Sequence, residues 1–155
     1  MEIGNFSCVF TLAMPTSTKN HEATMQIGQI CRYTVGGIWL YQGLVPKLLG
    51  PHADELAMAA AFGIPPNFQS VVSYSAGLAE IALAVCILMI PGKVWPQLAS
   101  AVATAGLLVF VAMFAPRYLV GAFNPVVMNV SSIALSMIGI ICIRSGANSK
   151  MAELP

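Results

Sequence analysis

The sequence predicts an all-α integral membrane protein, a four-helix bundle whose N and C termini both lie in the cytoplasm. Hydrophobic residues make up 57% of the 155 residues and charged residues only 8%, whereas a soluble domain carries about 25% charged residues. The mean hydropathy is +0.79. The apolar residues form continuous runs long enough to cross a bilayer. Because polar and apolar positions do not alternate within these runs, they favour helices over a closed β-barrel.

Four apolar runs define the predicted spans and the domain boundaries. They cover residues 27–49, 71–90, 94–115 and 126–143. Residues 1–26 are interpreted as a flexible or interfacial N-terminal tail, residues 27–143 as a four-transmembrane-helix domain, and residues 144–155 as a cytoplasmic C-terminal tail. The long connection over residues 50–70 holds a predicted short helix, which begins near Asp54 and ends before Gly63.

Basic residues in short connections predict the orientation in the membrane. Five of them fall on one side of the four spans and two on the other. The majority side, which we assign to the cytoplasm, holds Lys19, Arg32, Lys93, Arg144 and Lys150. The opposite side holds Lys47 and Arg117.

Glu80 lies near the middle of the second span, where a carboxylate costs free energy and normally faces the bundle interior with a partner. It is therefore the best candidate for a catalytic group, although the sequence alone assigns no catalytic residue and does not decide whether the protein is an enzyme. The alternative is a neutral Glu80 that only hydrogen-bonds two helices together. At a rise of about 1.5 Å per residue, Gln42 in the first span is level with Glu80 and is its predicted partner.

Each span carries one face of small and polar residues, which we predict to face the bundle interior. The interior stripes are Arg32, Gly36, Trp39, Gly43 and Lys47 in span one; Ser73, Gly77, Glu80 and Ala84 in span two; Ala99, Ala103 and Gly106, with Ser100 and Thr104 adjacent, in span three; and Asn129, Ser132, Ser136 and Gly139 in span four. The predicted ligand-binding residues are Trp39, Gln42, Gly43, Lys47, Gly77, Glu80 and Asn129.

Each of these side chains also has a purely structural interpretation. Gln42 and Asn129 can serve as interhelical hydrogen-bonding groups that need no ligand. Lys47 can extend its ammonium to the membrane surface and leave only its methylenes among the helices. Trp39 lies within a span rather than in an interfacial belt, yet it can simply fill the core.

The residue inventory excludes several kinds of chemistry. The two histidines, His21 and His52, lie outside the spans, so a haem held between paired histidines is excluded. His52 with Asp54 and Glu55 offers metal-ligand residue types, but a solvated loop is the favoured interpretation, and no metal site is predicted. The cysteines contain no C-x-x-C pair and are expected to stay free thiols. The net charge of +1 gives no reason to expect a nucleic-acid partner.

Three separated motifs resemble the DoxX-like family of small four-helix bacterial membrane proteins. The run Arg32-Tyr-x5-Trp39-Leu-Tyr-Gln-Gly43-Leu-Val-Pro-Lys47 resembles the first helix of that family. Ala76-Gly77-x-x-Glu80 resembles its second-helix signature, and Asn124-Pro125-x-x-x-Asn129 resembles the start of its last helix. The resemblance covers about residues 32–143 and implies a multi-pass protein of the bacterial inner membrane. Some members of this family are associated with quinone-linked sulfur oxidation or terminal oxidase complexes, and others accompany oxidoreductases in stress responses.

The leading functional hypothesis is a quinone- or lipid-binding component of a membrane redox system, with no covalent cofactor. In this hypothesis Glu80 exchanges a proton with the head group and Gln42 hydrogen-bonds a carbonyl oxygen. Trp39 stacks on the ring, and Lys47 polarises the other oxygen. The expected partners are membrane lipid, an oxidoreductase and a second copy of the chain.

Two alternatives stay open at this stage. In the first, the protein is a non-catalytic scaffold or assembly subunit whose small-residue faces dock a partner. In the second, it is a carrier for a small metabolite, although the inverted repeats expected of secondary transporters are not visible in the sequence.

Overall fold

The structure, a computed structural model, describes residues 17–120 and 125–152, and these residues form helices and no strand. The elements are α1 (Ser17–Gly43), a π-helical turn (Leu44–Leu48), α2 (Ala53–Ala61), α3 (Pro66–Met89), α4 (Trp95–Phe114), a 3-10 turn (Pro116–Leu119) and α5 (Pro125–Ala152). The predicted short helix in the long connection is thus present as α2. The all-α prediction is confirmed for the described residues.

Within the part of the chain that the structure describes, three helices are long and apolar enough to cross a membrane. They cover Pro66–Met89, Trp95–Phe114 and Val126–Ala147, with mean hydropathies of 2.0, 2.0 and 2.3. Predicted spans two, three and four match them to within a few residues. The first predicted span coincides with the later part of α1 and the π-helical turn. The helix α1 already begins at Ser17, within the predicted N-terminal tail, and residues 1–16 lie outside the described residues.

The long helices pack around α1. It lies between α3 and α5, and α4 packs mainly against α5, whereas α3 and α4 contact each other less. Gly92, with φ of +81°, turns the chain between α3 and α4, a backbone conformation that glycine adopts without strain. The short helix α2 ends in the same way at Gly63, with φ of +85°, and packs against α3 and α4.

The outside of the bundle is largely apolar, and its interior holds polar side chains together with apolar ones. The buried polar residues include Ser73, Gln97, Ser100, Thr104 and Ser136. Leucine, valine, isoleucine, methionine and phenylalanine side chains cover much of the outside. In lipid, apolar side chains gain nothing by leaving the surface, and helices associate through small residues and hydrogen bonds instead. The distribution is therefore what a bilayer requires.

The predicted interior faces are correct in three of the four long helices. The stripes of α1, α3 and α5 lie inside the bundle. The stripe predicted for α4 is partly wrong, because Ala103 and Gly106 are exposed. The adjacent positions, Ser100 and Thr104, are buried in their place. Ser100 and Thr104 carry hydroxyl groups that can hydrogen-bond to a neighbouring helix, so α4 presents these side chains to the interior in place of its smallest residues.

Gly43 and Gly77 bring α1 and α3 into backbone contact. A Cβ atom built on Gly43 would lie 2.6 Å from the Gly77 carbonyl oxygen, and one built on Gly77 would lie 2.8 Å from the Gly43 carbonyl oxygen. Both distances are too short for a real side chain, so only glycine permits this approach.

We expect Gly43→Ala to lower the free energy of unfolding by about 1–3 kcal/mol, because the backbone atom it would meet cannot move aside cheaply. Thermal unfolding in detergent measures the effect as a fall in Tm of several degrees. Gly37→Ala is the matched control in the same helix, since a Cβ there meets nothing within 4 Å. Equal Tm values for the two variants would contradict the close helix contact.

Candidate functional site

The π-helical turn that follows α1 shapes one wall of the candidate site. Pro46 has no amide hydrogen, and in an α-helix its ring would clash with the carbonyl group of Gln42. The backbone widens at this point into a π-helical turn over Leu44–Leu48, closed by a 2.9 Å hydrogen bond from the Leu49 amide to the Leu44 carbonyl oxygen. Such turns often occur at functional sites.

The turn places Lys47 against α3. The Cβ atom of Lys47 would lie 2.9 Å from a Cβ built on Gly77, so the start of the lysine side chain occupies the space that this glycine leaves. Glu80 follows Gly77 by about one helical turn, in the direction away from α2. The lysine side chain therefore extends from the π-helical turn toward the middle of α3.

Lys47 bridges two carboxylates. Its Nζ atom donates a 3.0 Å hydrogen bond to Glu80 Oε1 and lies 3.3 Å from Glu55 Oε1 on α2. The side chains of Lys47, Glu55 and Glu80 are 8%, 19% and 14% exposed. The lysine offsets the cost of holding a carboxylate in a low-dielectric interior, and removal of one member of such a pair costs about 3–5 kcal/mol.

This geometry corrects three expectations. The hydrogen bond described for Glu80 comes from Lys47 and not from Gln42. Lys47 does not extend to the membrane surface, because it is 7% exposed and turned inward. Glu55 is not a solvated loop residue, although its neighbours His52 and Asp54 are 65% and 61% exposed. A buried lysine can pair with a second carboxylate besides Glu80. Glu55, in the predicted short helix that follows, was the residue in the sequence that could have indicated this second ion pair.

A cavity of about 580 Å³ lies beside the ion-pair cluster formed by Lys47, Glu55 and Glu80, at the end of the bundle that α2 covers. All five helices and the π-helical turn contribute to its lining, which is mainly apolar. Of the predicted ligand-binding residues, Trp39, Gln42, Lys47, Glu80 and Asn129 line it. A volume of this size is typical of pockets for small organic ligands.

Gly43 and Gly77, also predicted to bind ligand, are not among the lining residues. They make the helix contact behind the wall, and a Cβ on Gly43 would lie 3.1 Å from the Glu80 Cβ. Their role is to bring Lys47 and Glu80 within hydrogen-bonding distance. They act on the cavity through the backbone.

Four polar atoms that line the cavity are buried and have no hydrogen-bond partner among the described residues. They are Ser73 Oγ, Glu80 Oε2, Asn129 Nδ2 and Ser132 Oγ. Leaving a buried donor or acceptor unsatisfied costs about 1–3 kcal/mol. Their concentration around one apolar cavity favours a ligand that carries both donor and acceptor groups.

Trp39, which lines the cavity, is held by hydrogen-bonded side chains that are not themselves part of the lining. Trp39 Nε1 donates a 2.8 Å hydrogen bond to Ser100 Oγ, which lies 3.1 Å from Ser136 Oγ. Ser100 and Ser136 are fully buried. This chain joins α1, α4 and α5 and fixes the orientation of the indole ring in the cavity wall.

Aromatic side chains connect the end of α2 to α4 beside the cavity, and two of them, Phe62 and Phe110, line it. The Phe62 ring lies 5.2 Å from that of Phe110 and 5.1 Å from that of Phe114, measured between centroids. The distances fall in the range in which aromatic rings attract each other. They hold α2, and with it Glu55, over the end of α4.

The family assignment follows from the same part of the chain. The sequence model of the DoxX-like family matches residues 36–137, more than half of the chain. This protein belongs to the DoxX-like family. The matched region contains every residue of the ion-pair cluster and ends near the middle of α5. No curated protein and no solved structure matches the chain.

Among the described residues, no three His, Cys, Asp or Glu side chains are grouped closely enough to hold a metal ion. Cys31, Cys86 and Cys142 are free thiols. Among the buried lining atoms, those without a hydrogen-bond partner in the described residues are one carboxylate oxygen, one amide nitrogen and two hydroxyl groups.

We expect Lys47→Met to destabilise the protein by about 3–5 kcal/mol, because it leaves Glu55 and Glu80 facing each other without a cation. The double variant Lys47→Met, Glu80→Gln should regain much of the loss, since it also removes the less exposed of the two carboxylates. Thermal unfolding of wild type, both single variants and the double variant gives the coupling free energy. Exposed Lys93→Met serves as the control. A strictly additive double variant would contradict the buried pair.

Proposed function

We propose that this DoxX-like protein binds an isoprenoid quinone, or a lipid of similar polarity, in the cavity beneath α2, as a component of a membrane redox system. The unpartnered polar atoms around the mainly apolar cavity carry this proposal. A quinone head group has two hydrogen-bond acceptors, and its reduced form has two donors. A site for both forms therefore needs donors and acceptors together, as this cavity provides.

The side chains divide naturally between these tasks. Asn129 Nδ2 is a donor for a head-group carbonyl oxygen, and the Ser132 hydroxyl, one helical turn along α5, serves either form. Glu80 Oε2 is an acceptor for a head-group hydroxyl, while Oε1 stays bonded to Lys47. A bound quinone would supply two-electron, two-proton chemistry, and the electrons would come from a partner oxidoreductase.

Glu80 is the proton-exchanging group in this proposal. Its Oε2 atom lines the cavity without a partner, whereas the Lys47 ammonium holds the other oxygen in place. Lys47 has three N–H donors: one is hydrogen-bonded to Glu80, and the ammonium group also forms a 3.3 Å ion pair with Glu55. Glu80 can therefore gain or lose a proton while the Lys47 ammonium still has a carboxylate beside it, that of Glu55. No isolated charge is left in the interior in either state.

The apolar lining suits the rest of such a ligand. Phe62, Phe110 and Met128 line the cavity with other apolar side chains. The walls formed by α3 and α4 belong to the helix pair that packs less closely than its neighbours. We infer that an isoprenoid tail leaves the cavity between these two helices and reaches the lipid.

The membrane topology is part of the proposal. With α1 and its π-helical turn as a fourth span, both termini lie on one side of the bilayer, and the basic residues place that side in the cytoplasm of a bacterial inner membrane. Lys47, one of the two basic residues assigned to the opposite side, is held inside the ion-pair cluster. The charge asymmetry on the surface is therefore larger than the sequence count suggests.

A scaffold function has one specific observation in its favour. The small residues Ala103 and Gly106 lie exposed on α4, and a Cβ on Gly106 would meet nothing within 4 Å. Small residues on a lipid-facing surface permit close approach of another helix. Gly106→Leu should then abolish cross-linking to a partner or second copy and leave ligand content unchanged, which separates this function from the first.

We expect protein purified in mild detergent from its native membranes to carry a quinone that organic solvent extracts and mass spectrometry identifies. Asn129→Leu and Glu80→Gln should each lower the bound amount about tenfold, the effect of losing one hydrogen bond in a dry site. Glu22→Gln, at an exposed position of α1, is the matched control for Glu80→Gln. Quinone content that is unchanged in both cavity variants would refute the proposal.

The topology has its own test. A fluorescent protein that matures only in the cytoplasm should fluoresce when fused to either terminus. Alkaline phosphatase, active only outside the cytoplasm, should be active when inserted after His52 and inactive at both termini. Activity at one terminus alone would mean that α1 does not cross the membrane.

A further inference from the structure

A second cavity, of about 330 Å³, lies at the end of the bundle opposite to α2. The early part of α1, the turn between α3 and α4 and the later part of α5 enclose it. The ends of spanning helices lie at the level of the lipid head groups. This cavity belongs to neither the ion-pair cluster nor the quinone proposal.

Two buried polar atoms of opposite hydrogen-bonding type have no partner there among the described residues. They are the acceptor Gln97 Oε1 and the donor Arg32 Nε, and both residues line the cavity. Gln97 is only 3% exposed. Its side chain packs so closely against Gly139 that a Cβ built on this glycine would lie 3.3 Å from Gln97 Cδ. A ligand that satisfies both atoms must accept a hydrogen bond at one point and donate one at another.

The electrostatics of the cavity favour an anion. Arg32 and Lys93 line it, and none of the described lining residues carries a carboxylate. The first turn of α4 borders it through Pro96 and Gln97, and no side chain caps that helix terminus. Pro96 has no N–H, so the helix dipole and the other N–H groups of the first turn, among them that of Gln97, make this terminus attractive to a phosphate group.

We propose that this cavity binds the head group of a phospholipid that carries a hydrogen-bond donor beside its phosphate, as phosphatidylglycerol and phosphatidylethanolamine do. The phosphate group accepts hydrogen bonds from Arg32 and the α4 terminus and lies near Lys93. The head-group hydroxyl or ammonium donates to Gln97 Oε1. The apolar walls, which include Met25, Ile87 and Ile143, accompany the beginning of the acyl chains.

Phosphatidylcholine provides the discriminating comparison, because it has the same phosphate group but no N–H or O–H donor. The full chain, delipidated in detergent, is titrated with short-chain phosphatidylglycerol, phosphatidylethanolamine or phosphatidylcholine, and with inorganic phosphate at constant ionic strength. The rise of Tm with concentration gives an apparent Kd for each. We expect the two donor lipids to bind at least about tenfold more tightly than phosphatidylcholine, the effect of one hydrogen bond to a charged or buried group.

Two variants test the assigned contacts. Gln97→Met should remove the preference for donor lipids and leave binding of phosphatidylcholine unchanged. Arg32→Gln should weaken all three lipids, whereas Arg144→Gln, which removes an exposed cation nearby in α5 but outside the cavity lining, should weaken none.

Three results would overturn the proposal. Equal binding of phosphatidylcholine by the wild type would remove the role of Gln97, and this comparison stands even if Gln97→Met does not fold. Inorganic phosphate that binds as tightly as phosphatidylglycerol would make this a site for a free anion and not for lipid. Lipid binding that Arg32→Gln leaves unchanged would exclude this cavity.

Discussion

A carboxylate near the middle of a membrane-spanning helix costs free energy unless a partner lies beside it, and Lys47 is that partner for Glu80 at 3.0 Å. Several otherwise unrelated features follow from that contact. The π-helical turn directs Lys47 toward α3, and the Gly43–Gly77 contact brings the two backbones close enough for the pair to form. The carboxylate of Glu55 then ties α2 to the same ammonium group. The position of α2 over the cavity thus depends on one buried cation.

Hydrogen bonds take over in this bundle the role that apolar burial has in a soluble protein. Burying a leucine between helices contributes little when the alternative is lipid, so helix register is determined by contacts that lipid cannot imitate. The Trp39–Ser100–Ser136 chain is such a contact, since each group would otherwise lie unpaired in hydrocarbon. It also explains why α4 presents Ser100 to the interior and leaves Gly106 outside.

The sequence carried more information about the helices than about the site. Spans two to four could be predicted because long apolar runs between Pro, Gly and Arg residues have one reading in lipid. Glu80 could be singled out by its cost alone. The partner of Glu80 could not be predicted in this way, because an even rise of about 1.5 Å per residue shows only which Cα atoms lie at the same depth in the membrane. The π-helical turn at Pro46 changes the direction of Lys47, and a lysine side chain spans more than one helical turn. Lys47 therefore reaches Glu80, although Gln42 was predicted to lie at the same depth.

Glu55 was missed for a related reason. It stands in a connection that reads as solvated, and local pattern does not show that α2 folds back over the bundle. The three phenylalanine rings that hold α2 there come from two separate helices, Phe62 from the end of α2 and Phe110 and Phe114 from α4. Such tertiary contacts have no signature in a single sequence, whereas the capping and turn residues around α2 do.

The two cavities bear on the choice between a carrier and a binding protein. Thr104 and Ser132 line one cavity, and Gln97 and Gly139 line the other. Only about seven residues of α4, or roughly 10 Å of helix, separate Gln97 from Thr104. That interval is filled by Ser100, Ser136 and Trp39, whose polar atoms bond to one another. A carrier would have to break these hydrogen bonds in a dry interior for each passage, at a cost that recurs with every solute. A binding protein needs them intact, because they fix the orientation of Trp39 in the wall of the cavity beneath α2. The hydrogen-bonded chain of Trp39, Ser100 and Ser136 therefore favours two separate cavities over one continuous path for a solute through the bundle.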